Sequence, residues 1–349
     1  VGIGSIVFGL IEGRSFGWWL PLGSPEFFGY VWVSISPIPV AFVIGITSLI
    51  VFTIYELRRN RRGQVALLDL SLFKLASFRN GNIAATIVSL GEFGLLFALP
   101  LWLQNALGFS AFGTGGILLA LAVGSFLASG LAAPLTQRLG AVNVVRIGIG
   151  AEMIGVLLIG RTLDLNVSMF MLLFPLFVYG IGVGLATAQL TGVVLADVPL
   201  ERGGQASGTA STMRQLGSAL GIALLGAVLF STLGNETTDR LKSQGATDEV
   251  ASGISEVIVQ SAGAVLPEWR KDQKLAISGN AGAEALTVAS QHAAYTGAAF
   301  LFLGLLSTLR LRSTRDNVRG DESQEELAEE KRGNSHGRVK KQQKPRSAR

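Results

Sequence analysis

Long apolar runs alternate with short charged segments along most of this chain. Many of the runs reach about 17–25 residues, the length that a helix needs to cross the hydrocarbon core of a bilayer. Because most charges fall between the runs, the pattern predicts an all-α polytopic membrane protein. The sequence predicts one partial and seven complete spans, at residues 1–11, 37–55, 81–103, 114–136, 145–160, 168–196, 205–232 and 293–309.

The run at 1–11 is too short to cross a bilayer, and no basic region precedes it. A signal peptide has such a region before its apolar core, so we interpret this run as the end of a helix. We therefore expect the chain to be a fragment in which the beginning of that helix is missing.

Arginine clusters predict which ends of the spans face the cytoplasm, where basic residues collect. Alternation of the side at each span also places Arg138, Arg146 and Arg202 in the cytoplasm. We expect a multi-pass protein of the plasma membrane with a cytoplasmic C-terminus. The strongest cytoplasmic anchors follow the second span and are Arg58, Arg59, Arg61 and Arg62.

Polar segments divide the chain into four parts. Residues 1–56 hold the end of one span, an external loop and a second span, and residues 57–80 form an amphipathic cytoplasmic linker along the membrane surface. Residues 81–311 form a six-helix bundle with an external loop at 233–290, where eight acids outnumber five bases. The charged tail at 312–349 is poor in apolar residues, which predicts disorder.

Composition excludes several function classes. Hydrophobic residues make up 49% of the chain and charged residues 15%, against about 25% charged in soluble domains. No cysteine is present, and His292 and His336 form no metal-ligand pattern, so no cofactor or metal is expected. The basic residues lie at the edges of apolar runs, which favours the lipid bilayer as partner and not nucleic acid.

Sequence motifs argue against an enzyme and against an ATP-driven pump. The chain contains no HExxH or GxSxG motif and no Walker-type phosphate loop. A membrane-embedded enzyme and a non-transporting truncated subunit nevertheless stay open as alternatives to a transporter.

Small residues recur every four positions in three of the predicted spans. Lipid cannot drive helices together by hydrophobicity, so close contact between small residues has to do so. The pattern predicts a tight bundle, and Ser207 and Ser211 continue it in the seventh span. The predicted packing glycines are Gly116, Gly124, Gly180, Gly184, Gly217 and Gly221.

Three charges fall inside apolar runs, where ionisable groups are costly and usually functional. Counted from the predicted cytoplasmic face, Glu92 lies about 18 Å, Arg214 about 15 Å and Glu152 about 9 Å into the membrane. Our hypothesis is that Glu92 or Glu152 takes up a proton and that Arg214 holds the acid ionised until substrate or conformation separates them. The alternative is that Arg214 bonds backbone carbonyls and fastens two helices.

Polar and aromatic side chains of the third and sixth spans are candidates to line a substrate cavity. Aromatic walls with few donors suit bulky apolar or cationic solutes, and the alternative is that these rings face lipid. The candidates are Phe93, Phe97, Trp102, Gln104, Tyr179 and Gln189.

Four segments resemble one family of transporters. They are GLIEGRSFGW at 9–18, ALLDLSLFKLASF at 66–78, LPLWLQNALGFSAFGTG at 99–115 and VPLERGGQASGTASTMRQLGSALGIALLGAV at 198–228. Together they resemble the fourteen-helix drug:proton antiporters of the major facilitator superfamily, from the seventh helix of that family onward.

The resemblance implies a major facilitator fold with two six-helix bundles and an extra helix pair between them. This chain would hold most of that pair and the C-terminal bundle, and its missing partner would be the N-terminal bundle. The implied function is proton-coupled efflux of drugs or other small amphipathic solutes, with the chain inactive alone because alternating access needs two bundles. An exporter of a specific metabolite, such as a lipid, siderophore or amino acid, is the alternative on the same fold.

Overall fold

The computed structural model describes residues 1–13, 16–21, 26–27, 30–31, 35–61 and 70–311. These residues are almost entirely helical, as the apolar pattern predicts. A two-residue antiparallel ladder pairs Glu26 with Val31 and Phe27 with Tyr30. The helices are α1 Gly2–Glu12, α2 Pro37–Arg61, α3 Ala76–Leu101, α4 Ala111–Leu139, α5 Ala141–Thr162, α6 Met169–Leu195, α7 Gly203–Ser243, α8 Asp248–Gln260, α9 Leu266–Trp269 and α10 Ala276–Thr308.

Some sequence predictions fall on parts of the chain outside the described residues. These are the anchor Arg62, the linker residues 62–69 and the tail 312–349, together with the side chain of Arg61. The anchors Arg58 and Arg59 lie in the last turns of α2, where the Arg59 guanidinium lies 5.7 Å from the centre of the Tyr55 ring.

Within the described residues, six helices are long and apolar enough to cross a membrane. Helix α1 is too short, and α10 carries Gln291 and His292 in its middle, which lower its hydropathy. Helix α10 nevertheless packs inside the bundle against α3, α5 and α7. The six apolar segments are Pro37–Arg59, Ala76–Ala106, Ala111–Leu139, Ala141–Thr162, Met169–Leu195 and Leu200–Ser243.

The bundle contains helix pairs in close contact, α4 and α5 each with α6, and α3 with α7. Its core includes the large buried side chains of Trp102 and Tyr179. The outer faces of α4 and α6 stay apolar, and Phe126 and Phe170 are 80% and 81% exposed. Exposed aromatic rings on apolar helices are what a lipid-facing surface requires.

Hydrogen bonds join the helix ends that the alternating threading assigns to one side. Arg146 donates to the carbonyl oxygens of Thr308 and Leu311, and Asn80 donates to the carbonyl oxygen of Arg310. The start of α3, the start of α5 and the end of α10 therefore lie together. The prediction that this end faces the cytoplasm stays a prediction.

The stretch 233–290, expected to be a loop, is mostly helical. Helix α7 continues to Ser243, α8 and α9 follow, and α10 begins at Ala276. Buried Leu241, Ala251 and Ala281 hold these segments together. The polar composition of this stretch therefore marks the exposed faces of packed helices, which composition alone does not separate from a loop.

This helical extension is fastened to the end of α3. Pro100 lies inside α3, and the chain continues beyond Leu101 as a π-helical turn over Trp102–Ala106. Arg270 donates to the carbonyl oxygen of Ala106 at 2.7 Å, and Asn105 donates to that of Ala262 at 2.9 Å. These bonds satisfy polar groups where the helix ends.

The linker prediction needs a correction at its end. A 3₁₀ turn covers Leu70–Lys74, and α3 begins at Ala76, earlier than the predicted span. Leu72 and Phe78 are buried against Val194, Ala206 and Ala210. This part of the linker packs under α6 and α7 and does not lie free on the membrane surface.

Glycines allow the helices to approach at the backbone. A Cβ atom built on Gly180 would lie 2.1 Å from the carbonyl oxygen of Leu121, and one on Gly221 would lie 2.1 Å from that of Leu90. Gly124, Gly184 and Gly217 make equivalent contacts with backbone oxygens of neighbouring helices.

Gly116 does not take part in this packing, and its prediction as a packing residue is wrong. A Cβ atom at this position would meet no atom within 4 Å. The four-residue spacing places Gly116 on the same stripe as Gly124, but it lies near the beginning of α4, where no helix in the described part of the chain approaches this stripe.

Candidate functional site

Arg214 is partly exposed in α7 and lies in a cavity of about 290 Å³ between α3, α6 and α7. Its guanidinium makes no hydrogen bond or salt bridge to another described residue. A cation in this position is available to a ligand that enters the cavity. Most of the residues that line the cavity are polar. The lining residues are Phe93, Thr191, Ser207, Ala210, Ser211, Arg214, Gln215 and Ser218.

The polar wall of this cavity is one face of α7. Ser207, Ser211, Arg214 and Ser218 are spaced three or four residues apart, so they lie on the same side of the helix. Sequence reasoning misses this face because serine also serves as a small packing residue between membrane helices. The signal that identifies it is the continuation of the serine spacing to Arg214.

Glu92 lies in α3 and is buried, with 7% of its surface exposed. Its carboxylate interacts electrostatically with the Arg214 guanidinium. No salt bridge of 4.0 Å or less joins the two groups in the described chain. Glu92 and Arg214 are therefore close enough to sense each other's charge without being locked together.

Glu152 is completely buried in α5, and neither of its carboxyl oxygens has a hydrogen-bond partner among the described residues. It interacts electrostatically with Glu92. A Cβ atom on Gly182 of α6 would lie 2.2 Å from the backbone nitrogen of Glu152, so α5 and α6 touch at this point. The structure thus brings Glu92, Glu152 and Arg214 into one electrostatic cluster.

Two of the aromatic candidates line cavities. Phe93 lines the cavity of Arg214. Phe97 lines a second cavity of about 330 Å³ and packs edge-on against Phe230, with ring centroids 6.3 Å apart. The remaining lining residues of this second cavity are Leu10, Trp18, Ile222, Ala223, Gly226, Ala227 and Ser231.

The other cavity candidates need correction. Trp102 and Tyr179 are fully buried core residues, and the Trp102 indole donates to Thr287 at 2.9 Å. The Tyr179 hydroxyl donates to the backbone carbonyl of Glu92 at 3.2 Å, so it positions α3. Both rings are buried because α10 and α5 cover them, which the sequence of their own helices does not reveal.

Gln104 and Gln189 are partly exposed, and neither lines either of these two cavities. Gln104 lies in the π-helical turn after α3, and Gln189 lies in α6 close to Thr191. Within the described residues, no three His, Cys, Asp or Glu side chains are placed to hold a metal ion.

Comparison with known proteins adds a family to this geometry. The Major Facilitator Superfamily model matches residues 2–237. A probable actinorhodin transporter of Streptomyces coelicolor is 30% identical over 263 residues, covering 73% of this chain and 42% of that protein. The multidrug resistance protein Stp of Mycobacterium tuberculosis is 28% identical over 263 residues, covering 75% of this chain and 45% of Stp.

Among solved structures, a bacterial homologue of the human lysosomal transporter Spinster, inward-facing and unoccupied, aligns with a TM-score of 0.47 and 18% identity. That alignment covers 89% of this chain and 69% of the Spinster homologue. The chain spans less than half the length of the two transporter relatives that it matches. Its helices and the family match together show that this chain belongs to the Major Facilitator Superfamily, whose members are membrane transporters and not enzymes.

Proposed function

We propose that this chain forms the C-terminal bundle of a secondary exporter that moves small amphipathic solutes out of the cell. The observation that carries the proposal is the polar cavity between α3, α6 and α7, which contains Arg214 and adjoins the buried Glu92. Uncompensated ionisable groups inside membrane helices are costly, and their usual reason is a transport pathway or a proton site.

Proton coupling is proposed to run through the acidic pair. Glu92 is held ionised by Arg214 in one conformation and accepts a proton when the Arg214 side chain moves away, because a nearby cation favours the charged form of a carboxyl group. Glu152, without a hydrogen-bond partner in the described chain, is the second proton site. Movement of the Arg214 side chain would then change which acid carries the proton.

A second six-helix bundle is proposed to complete the cavity. Ser207, Ser211 and Gln215 line the cavity but are exposed in the described chain, so a polar face of α7 lies uncovered. Alternating access by rocking needs two bundles around a central site. We propose a plasma-membrane location, with the tail at 312–349 in the cytoplasm.

Export is tested in a drug-sensitive bacterium that produces the chain either alone or together with the N-terminal bundle of the Stp relative. We expect glucose-energised cells with both parts to extrude a fluorescent amphipathic dye, and a protonophore to stop the extrusion. The Glu92→Gln variant should lose extrusion at unchanged membrane abundance. The control Arg138→Gln, which removes an exposed charge at the end of α4, should keep it.

No protonophore-sensitive extrusion in either arm, for a panel of anionic, neutral and cationic dyes, would contradict the export proposal. A specific metabolite exporter is the second candidate, because one relative is named for a single compound, actinorhodin. That candidate predicts extrusion of one member of a metabolite panel and of none of the dyes.

A further inference from the structure

The two cavities adjoin along one surface, which we call the α3/α7 groove. Phe93 lines the first cavity and Phe97 the second, and these residues are one helical turn apart on α3. On α7, Ser218 lines the first cavity and Ile222 lines the second, and these two residues are also one helical turn apart. The two cavities therefore lie in succession along α3 and α7.

The ends of the α3/α7 groove differ in chemistry. Among the described residues, Arg214 is the only charged residue that lines either cavity, and it lies among hydroxyl and amide side chains. The other end is lined by Phe97, Phe230, Trp18 and aliphatic side chains, and Ser231 is the one hydroxyl there among the described residues. One end is suited to an anion and the other to an apolar body.

Close packing of α3 against α7 flanks the position of Arg214. A Cβ atom on Gly217 would lie 2.2 Å from the carbonyl oxygen of Thr86, and the Thr86 hydroxyl lies 3.3 Å from the Met213 carbonyl oxygen. These contacts fix α3 against α7 on both sides of Arg214. Its guanidinium lies close enough to Glu92 for an electrostatic interaction and retains its hydrogen-bond donors for another partner.

We propose that the α3/α7 groove binds one acidic amphiphile, with its anionic group on Arg214 and its apolar body against Phe97 and Ile222. Arginine presents five donors in a planar fork that matches carboxylate and related anions. Ile222 lies eight residues beyond Arg214, or about 12 Å along α7, a distance that a molecule with two or three rings spans. The inference deepens the proposed function, since it names the class of solute exported from the same cavity.

The aromatic residues alone predict bulky apolar or cationic solutes, and Arg214 favours an acidic one. An aromatic ring attracts a cation, but the same groove holds Arg214, which repels one. Glu92 is the nearby carboxyl group that competes with the solute for the charge of Arg214.

The test compares two fluorescent probes that differ by one sulfonate. 8-Anilinonaphthalene-1-sulfonate is the anionic amphiphile, and N-phenyl-1-naphthylamine is its uncharged counterpart. Binding to the full chain in phosphatidylcholine nanodiscs is measured, with empty nanodiscs subtracted. We expect Arg214→Gln to weaken binding of the sulfonate at least about tenfold and that of the neutral probe less than about twofold, because the lost bonds are charge-assisted.

Three further variants complete the test. Glu92→Gln should tighten sulfonate binding, because Arg214 loses its internal competitor. Arg214→Lys should restore part of the affinity lost in Arg214→Gln, and Arg138→Gln should bind both probes as the original chain does. If Arg214→Gln does not fold, as judged by thermal unfolding, Glu92→Gln and Arg214→Lys decide the question.

Equal weakening of both probes in Arg214→Gln, or no tightening in Glu92→Gln, would overturn the anion site. Tighter binding of ethidium than of the sulfonate would overturn it as well. Because binding is measured without transport, the proposal of export and the proposal of an acidic solute can be contradicted by different results. Sulfonate binding without dye extrusion contradicts export alone, whereas extrusion of cationic dyes with no Arg214 effect contradicts the acidic solute alone.

Discussion

At the scale of single residues, Glu152 is a buried carboxyl group that packing alone does not explain. The residue is completely buried, both carboxyl oxygens lack hydrogen-bond partners in the described chain, and α6 touches its backbone through Gly182. A polar group in such a place destabilises the fold unless it is paired. The proposed proton site accounts for a carboxyl group that packing alone would replace by an apolar side chain.

Glu152→Met is therefore expected to raise stability and to abolish export. Removal of an unsatisfied buried polar group should raise the free energy of unfolding by about 1–3 kcal/mol. Thermal unfolding in detergent, followed by tryptophan fluorescence, measures the first effect, and dye extrusion measures the second. A lower unfolding temperature would show that Glu152 has a stabilising partner and would contradict this interpretation.

Several residue properties follow from sequence and others do not. The similar depths predicted for Glu92 and Arg214 rest on the fixed rise of a helix and stay a prediction. The structure gives an electrostatic interaction between the two groups. The burial of Trp102 depends on Thr287, which lies 185 residues away in sequence. No pattern within α3 contains that information.

At the scale of elements, the α3–α7 contact holds the proposed groove together. Both helices run in the same direction, and Gly217 and Gly221 let the backbones meet at Thr86 and Leu90. Dispersion between close backbones is the main attraction available between helices in lipid. A side chain at these glycines would separate the helices and widen the groove.

Gly221→Ala is expected to lower the unfolding temperature and to weaken sulfonate binding. Its Cβ atom would overlap the Leu90 carbonyl oxygen, and backbone cannot move aside cheaply. Gly116→Ala is the matched control, since its Cβ atom meets open space and alanine favours the helix by about 1 kcal/mol over glycine. Equal unfolding temperatures for the two variants would argue against the contact.

The elements themselves are largely predictable from the apolar runs, whereas their ends are not. Each predicted span corresponds to a helix, but α7 continues to Ser243 and α10 begins at Ala276, in a stretch expected to be a loop. Apolar runs predict the part of a helix that lies in lipid. They do not predict how far the same helix continues beyond the membrane. Buried Ala251 and Ile258 on α8 are the helical signal in that stretch.

At the scale of the whole molecule, the alternating threading is supported by contacts at both ends of the bundle. Arg146 joins the end of α10, and at the opposite end Gln291 donates to the Leu163 carbonyl oxygen at 2.8 Å. The contacts establish which helix ends lie together, and the arginine pattern predicts which of the two sides is cytoplasmic.

Single-cysteine labelling tests that side directly, because the chain has no cysteine of its own. Gln137→Cys lies at the end of α4, and Ser252→Cys lies on α8, both at exposed positions. In intact cells, a membrane-impermeant maleimide should label Ser252→Cys, and it should reach Gln137→Cys only after permeabilisation. The reverse pattern would invert the topology.

The central claim is that solute binds in the α3/α7 groove, and protection of Ser211 measures it most directly. Ser211 is an exposed wall residue of the cavity that holds Arg214. The labelling rate of Ser211→Cys is measured in nanodiscs with 8-anilinonaphthalene-1-sulfonate or ethidium, with Gln137→Cys as the control. We predict that the sulfonate slows labelling of Ser211→Cys severalfold and leaves the control unchanged. Equal labelling rates at Ser211→Cys with and without either probe would contradict the account.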